Sequence, residues 1–104
     1  MLLKDYTHSL LRNGKAQQAI SELTAILNDN ATAMPHQEIS DRDSVSKDEV
    51  HYMLGNSHYK TGNWKEAIQH YLEACDLNDQ SPAKEKLKMT YNILNFYNKD
   101  IFGQ

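Results

Sequence analysis

The chain is poor in cysteine, proline and glycine: Cys75 is its one thiol, and two prolines and four glycines are spread over 104 residues. A single cysteine excludes an intrachain disulfide and suits a reducing compartment. So few prolines leave most of the backbone free to be helical. No run of ~18 apolar residues exists to cross a membrane, and the opening "MLLKDYTHSLL" has no apolar run of signal-peptide length. A cytoplasmic protein with no membrane partner is therefore expected. An excess of positive charge is missing too, with 11 basic against 14 acidic residues and a net charge of −3. That balance offers no broad phosphate-binding field, so nucleic acid is not an expected partner. A hydrophobic fraction of 39% and a charged fraction of 24% fit one folded, well-solvated domain over residues 1–104.

Helical periodicity fills most of that domain. Leu3, Tyr6, Leu10 and Leu11 recur at the three-to-four spacing of one helical face, and the "RNG" at Arg12 to Gly14 supplies a stop. Ala16, Ala19, Ile20, Leu23, Ile26 and Leu27 then line one side of a second helix, with Gln17, Gln18, Ser21 and Glu22 on the other. The short turn between them predicts an antiparallel hairpin. Residues 31–46 have a proline, scattered charge and no apolar period, and read as a long inserted loop. Ser46 and Glu49 have the spacing of a capping box, which predicts a third helix from Lys47 to about Thr61. A fourth follows from Trp64 to about Leu77. Ser81 and Pro82 then open a fifth over residues 82–99, with Leu87, Tyr91, Leu94 and Tyr97 on one face and Met89, Ile93 and Phe96 on another. Two apolar faces predict more than one neighbour. A tail, 100–104, adds Ile101 and Phe102, expected to fold back on the domain or to pack on another copy.

The two hairpins repeat one another. Gly14, Lys15, Ala19 and Ile20 align with Gly62, Asn63, Ala67 and Ile68, each 48 positions on. Removing some 14 inserted loop residues leaves a period of 34, the length of a tetratricopeptide repeat. The second hairpin resembles that family: Leu54-Gly55 matches its Leu-Gly pair, Gly62 its turn glycine, Ala67 its first small residue, Tyr71 its aromatic and Ala74 its last alanine. His51 stands where tryptophan is usual, His58 where tyrosine is, and Asp79 where proline is. Residues 1–30 fit less closely, with Tyr6-Thr7 in place of Leu-Gly and Ile26 in place of the last alanine. The closing "ILNFYNKD" resembles the ending of small two-repeat bacterial proteins of gut Bacteroidetes. The resemblance implies an all-α, right-handed superhelix of two antiparallel hairpins (1–30 and 47–81) plus a C-terminal capping helix. The packing logic is independent of the name. Small residues at Gly55, Ala67 and Ala74 let helix axes approach, while Leu54, Tyr59 and Tyr71 fill the volume between them.

Reactive chemistry finds little support. His51, His58 and His70 form no local ligand pair of zinc spacing and fall at aromatic positions of the resembled repeat, so packing is the preferred reading. Cys75 reads as a half-buried packing residue. The glycines form no phosphate-binding fingerprint, and carboxylates such as Glu22, Glu66 and Glu73 fall on polar helix faces. No catalytic, cofactor-binding or metal-ligating residue is nominated, and no cofactor or enzymatic activity is expected. What the resemblance implies instead is a concave groove lined by the first helix of each pair: Lys4, His8, Leu11 and Arg12 beside Glu49, Tyr52, Asn56, Tyr59 and Lys60. Lys60, Asn56 and Arg12, with the tyrosines, are expected to hold an extended peptide by its amides and acidic groups. Asn56 matches one asparagine of the family's carboxylate clamp, but Tyr52, Met53 and Leu87 depart from it. The expected function is protein or peptide binding by a scaffold module. The alternative is a structural homo-oligomer that self-associates through the groove or the C-terminal helix, a homodimer through that helix and the tail being one form of it.

Overall fold

A computed structural model describes residues 1–28, 39–41 and 44–102, the backbone alone from residue 97 on. Among them are five helices and no strand: α1 (Leu3–Arg12), α2 (Ala16–Leu27), α3 (Lys47–Lys60), α4 (Trp64–Leu77) and α5 (Ala83–Phe102). The fold is all-α, α1/α2 and α3/α4 each forming a helical hairpin, with α5 laid against α4.

Both hairpin turns use one device. Gly14 has φ +73° and Gly62 φ +79°, the left-handed region open to glycine at no steric cost. The N–H of Lys15 donates to the Leu10 carbonyl at 2.8 Å, and that of Asn63 to the His58 carbonyl at 2.9 Å. Gly14 and Gly62 donate one residue inside those bonds, to Leu11 and Tyr59. This nested pair caps the orphaned carbonyls of α1 and α3 and reverses the chain. The glycines 48 residues apart therefore encode the same turn twice.

Burial falls into two clusters. Leu3, Leu23, Val50, Met53 and Leu54 join the first hairpin to α3. Ala67, Tyr71, Ala74 and Ala83 join α4 to α5, with Tyr52, Tyr59, Cys75 and Leu87 packed against them. Cys75 is half-buried in that second cluster. Between the clusters, Gly55 lies face to face with the fully buried Tyr71 ring: a Cβ there would meet Cε1 and come 2.5 Å from Cδ1. Ser57 and Thr90 are wholly buried hydroxyls, satisfied by donating to carbonyls one turn back, Met53 at 2.9 Å and Lys86 at 2.7 Å.

Several details differ from the sequence reading. The inserted stretch is not all surface loop, because Ile39 is buried in the first cluster and Val45 packs against it. The same stretch caps α1, where the Leu3 N–H donates to Asp41 Oδ1 at 2.7 Å in place of a local cap. The capping box at α3 does not form. Ser46 makes no side-chain bond to the helix amides and turns its hydroxyl to the Asp48 carboxylate instead. Glu22 is buried rather than solvated. Both its oxygens accept from the Tyr6 hydroxyl, at 2.9 and 2.8 Å, and burial with this carboxylate pushes the Tyr6 phenol up to about 12. On α5 the buried stripe is Ala83, Leu87 and Thr90, facing α4. Tyr91, expected beside Leu87, is exposed with Met89 and Phe96, since a step of three to four from Leu87 falls on Thr90 first. The helix also runs on through Phe102 rather than ending at residue 99. Residues 29–38, 42 and 43, which include most of the inserted loop, and the side chains of Tyr97, Ile101 and Phe102 lie outside the described residues, and so does the expected folding back of the tail.

Candidate functional site

A cleft of about 590 Å³ opens between α1 and α3 and is closed at one side by Asn78 and Pro82 ahead of α5. Helical spacing explains its walls. Lys4, His8 and Leu11 fall on one face of α1, and Glu49, Tyr52 and Asn56 on one face of α3, each set stepping by three and four residues. These six of the nine sequence-nominated groove residues line the cleft together. Arg12, Tyr59 and Lys60 are not among its lining; they close the C-terminal ends of α1 and α3. Tyr59 is engaged elsewhere, its ring edge-on to Trp64 at 5.1 Å between centroids and capped by the Lys86 ammonium 4.9 Å away.

Two lining side chains are held in place from behind. The Tyr71 hydroxyl donates to Asn56 Oδ1 at 2.6 Å, which leaves the Asn56 NH₂ as the end available to the cleft. Burial raises the Tyr71 phenol well above its ordinary range, so it stays a donor. Asp48 accepts from Asn78 Nδ2 at 3.1 Å. The Ser46 hydroxyl, then Asn78 and nearby backbone amides, hold the Asp48 carboxyl below the usual range and hence ionised.

Residues 48–81 match the family model of the tetratricopeptide repeat. The second hairpin is thus similar to a tetratricopeptide repeat. No curated protein and no solved structure matches the chain significantly. In such repeats stacked helix pairs build a concave surface that serves in general for protein interaction, and the α1–α3 cleft lies on the first helices of the two pairs. Asp5, Thr7, Asp48, Met53, Asn78 and Pro82 also line the cleft and escaped the sequence reading. Asp5 and Met53 are 48 apart, so the repeat register held a signal for both. Asn78 and Pro82 follow α4 in a segment without period and gave none.

The histidines of the second hairpin stack in its α3–α4 seam. His51 Nδ1 lies 3.1 Å from His70 Nδ1, one ring donating and the other accepting according to tautomer, and His58 stacks on His70 at 5.4 Å and 6°. Burial, then the neighbouring His51 and His58, push His70 down to about 4. Burial also lowers His58, against a weaker opposing pull from Glu66, and its buried Nδ1 has no hydrogen-bond partner. Among the described residues no group of three His, Cys, Asp or Glu is arranged to hold a metal ion. Nor is any helix there long and apolar enough to cross a membrane.

Proposed function

We propose that this chain is a non-catalytic interaction module that holds a peptide or helix of a partner protein in the α1–α3 cleft. The observation that carries the reading is the convergence of Lys4, His8 and Leu11 with Glu49, Tyr52 and Asn56 around one concavity, with Asn56 oriented from behind by Tyr71. An apolar floor with a few fixed polar groups is the usual make-up of a recognition groove. The test is affinity capture from host lysate with wild type and with a Tyr52→Ala, Asn56→Ala variant of matched melting temperature. Partners lost with the variant support the groove; identical partners on both refute it. The second reading, self-association through α5, rests on Met89, Tyr91 and Phe96, all exposed on that helix. Light scattering that gives one monomeric mass at every concentration removes it.

A further inference from the structure

The charge of the cleft, as distinct from its shape, selects among peptides. Three carboxylates line it, Asp5, Asp48 and Glu49, against one ammonium, Lys4. The remaining basic residues that the family resemblance assigns to this surface, Arg12 and Lys60, lie outside the lining. We propose, building on the groove reading above, that the cleft takes a cationic segment, with an arginine or lysine reaching Asp48 and Glu49 while adjacent apolar side chains rest on Tyr52 and Met53.

Acidic residues in the first turn of a helix also favour the helix itself, through its positive N-terminal end, and this alone accounts for finding Asp48 and Glu49 there. The same preference covers Asp5 in the first turn of α1; what it does not account for is that the two acidic first turns wall one cleft, or the way Asp48 is held. Asn78 orients the Asp48 carboxylate at 3.1 Å, and Ser46 first and Asn78 second keep it ionised. An oriented anion loses little freedom on meeting a cation, which favours a charge-assisted contact over a diffuse one. The Asn56 NH₂, aimed at the cleft by Tyr71, is placed to donate to a backbone carbonyl of the same segment. An acidic peptide or a free C-terminal carboxylate would instead face three like charges. The net charge of −3 over the chain steers in the same sense.

The probes are short, terminally blocked, fluorescent peptides alternating leucine with arginine, with glutamine or with glutamate, titrated into the full chain at low and physiological ionic strength and read by anisotropy. The arginine peptide is expected to bind about tenfold more tightly than the glutamine peptide, with the difference shrinking as salt rises, and the glutamate peptide not at all. Asp48→Asn with Glu49→Gln should remove that preference. Asp5→Asn with Glu49→Gln, two exposed side chains whose loss cannot unfold the chain, should reduce it. Tyr52→Ala should weaken all binding. Equal binding of arginine and glutamine peptides, both lost in Tyr52→Ala, overturns the charge selection and leaves the groove standing. Arginine binding that survives Tyr52→Ala lies outside the cleft and overturns the inference, as does preference for the glutamate peptide. If no peptide binds, both the inference and the groove reading fall.

Discussion

Replacing Gly55 by alanine should destabilise the chain, although alanine is the better helix former. The propensity gain is worth ~0.8–1 kcal/mol in a helix interior. Against it stands the Tyr71 ring. An added Cβ would overlap Cε1 and lie 2.5 Å from Cδ1 and 3.0 Å from Cζ, well inside van der Waals contact. The ring has little room to yield: Tyr71 is fully buried, its hydroxyl is tied to Asn56 at 2.6 Å, and Tyr52 lies beside it at 6.1 Å between centroids. Overpacking of this kind costs ~1–3 kcal/mol. A ring held this firmly puts the cost at the upper end, ~2–3 kcal/mol, so the net expectation is a loss of about 1–2 kcal/mol, read as a fall in Tm of roughly 5–10 °C for a chain of this size. Thermal and urea unfolding followed by circular dichroism measure it. A second variant separates the collision from any general dislike of alanine at this site. Gly55→Ala combined with Tyr71→Leu should lose less than the two single changes added together, by about 1 kcal/mol or more, because the smaller side chain vacates the space the Cβ needs. A Gly55→Ala protein as stable as wild type, or more so, would refute the close-approach reasoning.

Other outcomes follow from single contacts. Asp41→Ala removes the cap that the inserted stretch lends to α1 and should cost about 1 kcal/mol by urea denaturation, with amide exchange rising first at the start of α1. Tyr6→Phe leaves the buried Glu22 carboxylate without its phenol donor and should cost ~1–3 kcal/mol at neutral pH. Acid should loosen the α3–α4 seam. His70 is free to ionise at 6.5 in the unfolded chain but only near 4 in the fold, so stability is full above about 6.5, falls as pH drops toward 4 and levels off below. Because the ring is only half-buried, the loss attributable to it is about 1–2 kcal/mol, and it should be absent in a His70→Phe variant.

The sequence revealed what is periodic and concealed what is not. α4 was legible to the residue, Trp64 to Leu77, because a turn glycine and a polar break bracket an apolar series. The first-helix faces that wall the cleft were legible only through the repeat resemblance, which puts the first helix of each pair on the groove. Glu22 was not: a carboxylate on a polar face reads as solvated unless its partner is known, and Tyr6 lies 16 residues away on another helix. Ile39 and Asp41 sit in a segment with no period, so nothing local announced that one enters the core and the other caps α1. Tyr59 matched an array position, yet the neighbour that claims it, Lys86, comes from α5, outside the repeat. Ser46 and Glu49 had the right spacing for a capping box, but Asp48 competes for the same hydroxyl.

The central claim, that the α1–α3 cleft receives a partner segment, is tested most directly by titrating the arginine–leucine peptide into isotopically labelled protein and following backbone amide shifts residue by residue. The account predicts saturable shifts concentrated at Asp5, His8, Asp48, Tyr52 and Asn56, with the exposed face of α5 around Met89 unchanged. Shifts centred on α5, or scattered without saturation over the acidic surface, would contradict it.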